Sequence, residues 1–181
     1  MILGKTLEIK DPEPADPSRR QVVVEAKEVA SNDGLDPAML AANGATLTIS
    51  TTGATPSSQT FSMPAPWKLL GTTGARYADN RGVNGQVKLA QLSKTAKGTF
   101  ELKVKIQGKV GPGEQPLVLV VPPNPGTGAS ALLRVNGGAE YCVRFGGAAS
   151  GQIANKGPTS FTVTNRRRRS APPGIDLTLA G

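Results

Sequence analysis

From Phe100 to Gln107 the chain reads Phe-Glu-Leu-Lys-Val-Lys-Ile-Gln, apolar at every even position and polar at every odd one. A repeat of two is the period of a pleated strand, on which successive side chains point to opposite faces. This segment is therefore a strand that buries Phe100, Leu102, Val104 and Ile106 and solvates Glu101, Lys103, Lys105 and Gln107. The same alternation recurs in Thr46-Leu47-Thr48-Ile49-Ser50, in Ser160-Phe161-Thr162-Val163-Thr164 and in Ile175-Asp176-Leu177-Thr178-Leu179. Each of these is too short and too rich in β-branched residues for a helix.

Turn residues punctuate these runs. The 181 residues include 22 Gly and 15 Pro, about a fifth of the chain, spread along its length without a tandem period. Average usage is about 12%. Collagen, long helices and coiled coils are excluded, because Gly and Pro interrupt a helix every few residues. Asn136-Gly137 stands between two apolar-rich runs and predicts a tight hairpin, since Asn-Gly readily adopts the positive φ such a turn needs. Asn84-Gly85 separates Arg76-Tyr77-Ala78 from Gln86-Val87-Lys88-Leu89 in the same way, and Asn43-Gly44 precedes the Thr46 strand. The one helical candidate is Asp36–Ala42, one or two turns, with Asp36 as N-cap and Pro37 at the first helical position. Asp11–Pro17 is a proline-rich loop between the first two strands. Val22-Val23-Val24 and Leu117-Val118-Leu119-Val120-Val121 are apolar throughout and read as strands covered on both faces. Pro116 and Pro122 bracket the second run and suggest an edge or sheet-switching strand.

These elements add up to an all-β fold, an antiparallel β-sandwich of the jelly-roll or immunoglobulin-like kind, with about 10–13 short strands and at most one short helix. No linker divides the chain. Residues 1–165 form one domain, and residues 166–181 a basic C-terminal extension with a last strand at 175–179. No apolar run approaches the roughly 20 residues of a membrane span. Met1-Ile2-Leu3-Gly4-Lys5 lacks the apolar h-region of a signal peptide, which leaves either retention in the cytoplasm or removal of a leader. The single Cys142 cannot form an internal disulfide and leaves the redox compartment open.

Charge is unevenly distributed. Residues 1–60 hold 5 basic and 8 acidic side chains, whereas residues 61–181 hold 16 basic and 5 acidic ones, for a net charge of +8. Arg166-Arg167-Arg168-Arg169 is the densest basic feature, and the outward strand positions Lys88, Lys103, Lys105, Arg134 and Arg144 extend its field. Salt-sensitive, sequence-blind contact with a polyanion (nucleic acid or acidic glycan) is one reading. A processing site and a solvated charge run compete with it. Phe61, Phe100, Phe145 and Phe161 fall at core positions and Trp67 reads as a core anchor, so the basic positions are not interleaved with stacking aromatics.

Catalytic chemistry is thinly represented. The chain has no histidine, so the commonest general base and the usual activator of a Ser or Cys nucleophile are missing. Cys142 alternates with Tyr141 and Val143 in a strand and reads as a packing residue. One cysteine without histidine cannot supply a tetrahedral zinc site. Gly4-Lys5-Thr6 matches the end of a phosphate-binding loop, but lacks the preceding glycine and the following helix. Asp33, Asp36 and Asp79 are weak calcium candidates without the spacing of a calcium loop; turn chemistry is the stronger reading. No cofactor is expected, and the chain is read as non-enzymatic.

Several stretches carry a family likeness: Leu3–Asp11, Gly44–Ile49, Trp67–Gly71, Tyr77-Ala78-Asp79 and Tyr141–Gly147. In order and spacing, over most of residues 1–165, the chain resembles a repeat-type all-β domain of large secreted proteins from environmental, deltaproteobacteria-like bacteria. The resemblance implies an exported β-domain, extracellular or at the cell surface. Where that pattern leads one to expect a second cysteine able to partner Cys142, this chain has the Arg run. The leading expectation is a non-enzymatic structural or adhesive module. It self-associates or joins other surface proteins through its edge strands and its acidic-to-basic polarity. A jelly-roll shell or polyanion-binding protein using Arg166–Arg169 is the alternative, and a carbohydrate-binding module a lower one.

Overall fold

In the computed structural model, which describes residues 2–108, 116–119, 126–146, 151–156 and 159–165, two sheets pack face to face as an all-β sandwich. The strands are β1 (Ile2–Lys10), β2 (Gln21–Glu28), β3 (Ala45–Gly53), β4 (Ser57–Met63), β5 (Lys68–Leu69), β6 (Gly74–Ala78), β7 (Val87–Lys94), β8 (Phe100–Gln107), β9 (Gly126–Val135), β10 (Glu140–Gly146), β11 (Gly151–Lys156) and β12 (Ser160–Asn165). Sheet 1 has the order β4-β3-β9-β10 and ends on the first residues of β1. Sheet 2 has the order β11-β12-β1-β2-β8-β7-β6-β5. The twelve strands among the described residues fall within the expected range.

The first strand belongs to both sheets. Ile2 and Leu3 pair with Val143 and Arg144 of β10, the one parallel ladder among the described residues. The register then shifts between Gly4 and Thr6, and Thr6–Lys10 lies antiparallel between β2 and β12. A bulge of this kind bends a strand and raises its twist. Gly4 is required at the bend, since a Cβ there would meet the Phe145 ring and stand 2.6 Å from the Arg144 carbonyl oxygen. The expected sheet-switching strand thus exists, but it is β1 and not the Leu117 run.

Asn165, at the end of β12, pins this seam. Its buried side-chain amide donates from Nδ2 to the Gly4 carbonyl (2.9 Å) and the Arg144 carbonyl (3.1 Å), while its Oδ1 accepts the Gly146 N–H (2.9 Å). Three backbone groups that the switch would leave unpaired are satisfied by one side chain.

The alternating segments bury the residues that period two assigns inward. Phe100, Leu102, Val104 and Ile106 face the core, as do Leu47, Ile49, Phe61 and Phe161. Trp67 is also buried; its Nε1 donates to the Met63 carbonyl (3.1 Å) and its ring lies 5.6 Å from that of Tyr77. Helix α1 (Pro37–Asn43) has Asp36 as N-cap, the carboxylate accepting the Met39 N–H at 2.9 Å, and Gly44 as C-cap at φ +72°. It closes one end of the sandwich with Leu40.

Four expectations need revision. Asn136-Gly137 does join β9 to β10, but through the four residues 136–139. Only Gly137 takes positive φ, whereas a two-residue type I′ turn needs it twice. The Asn136 side chain instead donates to the Asn43 carbonyl at the end of α1. Asn84-Gly85 lies in an eight-residue loop, 79–86, between β6 and β7. Val22 and Val24 are buried but Val23, between them, is only half-buried, because sheet 2 is covered on one face. Finally, Pro116–Leu119 forms no strand. Leu117 and Leu119 point into the core and Val118 outward, and the Gln59 side-chain amide holds the segment by donating to the Pro116 carbonyl (2.9 Å) and accepting the Val118 N–H (2.9 Å). Val120-Val121, the Arg run and the strand read at 175–179 lie outside the described residues.

Candidate functional site

The basic side chains singled out in the sequence divide between opposite faces. Lys103 and Lys105 lie on β8, exposed on the outer face of sheet 2. Arg134 and Arg144 lie exposed on β9 and β10, on the outer face of sheet 1, where Arg134 Nε pairs with Glu140 at 2.7 Å. They form no common patch. Arg166–Arg169 follow Asn165 directly in the sequence but lie outside the described residues.

On sheet 2 the cross-strand register sets the surroundings of each lysine. Lys103 stands opposite Glu25 of β2 and adds its charge to the field at Glu101. Glu101 itself is held below the ordinary carboxylate range, chiefly by a hydrogen bond from Lys27 that outweighs its partial burial. Lys5 closes on Glu25 at 2.9 Å. Lys105 is different: its cross-strand neighbours are Val23 on one side and Leu89 on the other. Between Val87 and Leu89 the register of β7 slips, and Lys88 is the extra residue of that bulge. As a result Lys88 and Lys105 line the same cleft, of about 210 Å³, together with Gln21, Gln107 and Val23. Gln21 and Gln107 face each other across β2 and β8. Neither lysine is in an ion pair among the described residues. Period two marks both Lys88 and Lys105 as outward in the sequence, but nothing local reveals the bulge between their strands.

A second, larger depression, of about 500 Å³, lies between the loop before α1 and the β9–β10 turn, lined by Asp33, Leu35, Asp36, Met39, Glu140 and Tyr141 among others. Tyr141 donates from its hydroxyl to the Gly34 carbonyl at 2.8 Å and packs its ring 5.0 Å from that of Phe100. Burial first, and then the charges of Asp33 and Asp36, push its phenol above the ordinary range. The three carboxylates have other duties nearby: Asp36 caps α1 and Glu140 pairs with Arg134, while Asp33 lies in the loop that Lys94 anchors by donating to its carbonyl at 2.7 Å.

Asp79 is a loop organiser. Its carboxylate accepts the N–H groups of Val83 (3.0 Å) and Asn84 (2.7 Å). Burial alone would raise its pKa, but the N–H donors of Asn84, Val83 and Gly82, helped by the charge of Lys88, outweigh it and hold the carboxyl below its ordinary value. The described residues contain no cluster of three or more metal-ligating side chains. Cys142 is a free, half-buried thiol on the outer face of sheet 1, beside Leu132.

The sheet edges are treated unequally. β5 is two residues long and carries Lys68, and the Gln59-held segment 116–119 runs beside β4. At the opposite edge of sheet 2, β11 spans six residues and pairs only with β12 among the described residues. Gln152, Ile153 and Ala154 are all exposed, Ile153 by 37%. Comparison with protein-family models, curated proteins and solved structures finds no match to this chain. No helix among the described residues is long and apolar enough to cross a membrane.

Proposed function

We propose that the chain is a non-enzymatic structural or adhesive β-domain, extracellular or at the cell surface, that associates with copies of itself through the open edge of sheet 2. One observation carries the reading: among the described residues, β11 lacks the devices that normally blunt an edge strand. Such strands are kept short, charged at their centre, broken by proline or covered. β11 has no proline, its one charge is the terminal Lys156, and its centre is the exposed Ile153. By contrast, the opposite edge of the same sheet is cut to two residues. Antiparallel pairing of β11 with the β11 of a second copy extends sheet 2 across a twofold axis and covers Ile153 from both sides.

The test is sedimentation velocity over a wide concentration range on the wild-type chain and on Ile153→Lys. The wild type should dimerise or polymerise, and the variant should be monomeric and still folded by circular dichroism, because Ile153 lies partly exposed at the sheet edge. A wild-type chain that is monomeric at every concentration, or a variant that associates equally well, overturns the proposal.

A further inference from the structure

A different surface, the cleft between the ends of β2, β8 and β7, carries a second property. We infer that it binds the anionic groups of an acidic glycan, a sulfate or carboxylate seated between Lys88 and Lys105 with Gln21 and Gln107 as flanking amide donors. Register is the first support. Elsewhere on this face the lysines meet carboxylates: Lys27 meets Glu101, Lys5 meets Glu25 and Lys10 meets Glu8. Lys105 instead lies between Val23 and Leu89, so its ammonium charge is left uncompensated by its cross-strand neighbours. The bulge is the second. It gives the place opposite Lys105 to Leu89 and leaves Lys88 as the extra residue beside it, and bulges re-aim side chains in this way. Two ammonium groups and two neutral amides around a small depression match a fixed anion that also presents hydroxyls.

The chemistry of the surface separates a glycan from a nucleic acid. Single-stranded nucleic acid is gripped by bases stacking on exposed aromatic rings. All seven aromatic side chains of this chain are buried, the most exposed at 4%. That burial also removes the flat aromatic platform on which a neutral sugar would stack, so the charged groups of the glycan must supply the affinity.

The experiment is a binding titration of the full chain, in the Ile153→Lys background so that strand-edge association adds no avidity, with a heparin hexasaccharide as probe. It is repeated between 50 and 300 mM salt. The double variant Lys88→Ala/Lys105→Ala should bind about tenfold more weakly at low salt and lower the slope of log affinity against log salt by about two. Gln21→Ala/Gln107→Ala should weaken binding about fivefold and leave the slope unchanged, since amides release no counterions. All four positions are at the surface or in the rim of the cleft, and circular dichroism should show every variant folded. The inference is overturned if affinity and slope are the same in the lysine variant, or if only replacement of Arg166–Arg169 by alanine abolishes binding. It is equally overturned if single-stranded oligothymidylate binds as tightly as the hexasaccharide. None of these outcomes depends on whether the chain associates through β11.

Discussion

On sheet 1 the outward positions of β3 include Thr46, Thr48 and Ser50, opposite Ser62, Thr60 and Ser58 of β4; on sheet 2 the outward positions of β2 include Glu25 and Lys27, opposite Lys103 and Glu101 of β8. The inward patterns are the same, and the two faces could be exchanged without disturbing the alternation. On sheet 1 the hydroxyls bond one another, Thr48 to Thr60 at 2.8 Å and Ser50 to Ser58 at 2.9 Å, so the β3–β4 ladder is neutral and the charges of this face lie on β9 and β10. On sheet 2 the ladder is ionic, and its charges reach beyond the surface. The core leaves the outward chemistry free, so one fold can hold a ladder that is indifferent to salt and pH and another that responds to both.

That contrast stands only if the faces decorate a frame that both sheets share, and disturbing the frame should cost most. Arg20 Nε pairs with Asp11, which is 2% exposed, at 2.8 Å, and Nη1 donates to the Leu117 carbonyl at 2.7 Å. Arg20→Met leaves a buried carboxylate without its partner and should lower the unfolding free energy by about 3–5 kcal/mol in urea titration. A loss as small as that of an outer-face variant would break the comparison. Next, Asn165→Ala orphans the carbonyls of Gly4 and Arg144 and the N–H of Gly146, and should cost about 2–3 kcal/mol in the same measurement.

Smaller changes sharpen the contrast between the faces. Glu101→Gln removes an exposed ion pair and should cost about 0.5 kcal/mol, vanishing in 1 M salt. Because its folded pKa is lowered, Glu101 contributes stability above the ordinary carboxylate range and loses it as pH falls through the folded value. The variant should therefore lose less stability than the wild type between about pH 5 and pH 2. On sheet 1, Thr48→Ala should cost a few tenths of a kcal/mol, with no dependence on salt or pH. A salt-dependent Thr48 effect would mean that the two faces are electrostatically coupled through the core.

What could be read from the sequence is what lies within a few residues. The β8 alternation, the Asp36-Pro37 start and Gly44 end of α1, and the burial of Trp67 and the four phenylalanines follow from neighbours in the chain. Pairing does not. Lys88, Lys103, Lys105, Arg134 and Arg144 are each legible as outward, yet a period of two says nothing of which sheet is involved, and the structure places three on sheet 2 and two on sheet 1. The sheet switch in β1 rests on the Phe145 ring packing over Gly4, far along the chain. Leu117 and Leu119 look like a strand locally, and only the Gln59 amide, 57 and 59 residues away from its two contacts, shows why they are not. The slip in register between β7 and β8 that gives Leu89 the place opposite Lys105 is likewise announced by no single strand.

The hydrogen bond from Asn165 to Gly4 spans 161 positions of sequence. It has a mechanical consequence. β1 and β12 run antiparallel with Thr6 opposite Thr164, so residues 2 and 165 lie at the same end of the pair. Tension applied between those residues opens the ladder as a zip, loading one residue pair at a time instead of shearing all five together. Asn165 is the clasp at the mouth of that zip, and the force needed to open the domain is set there.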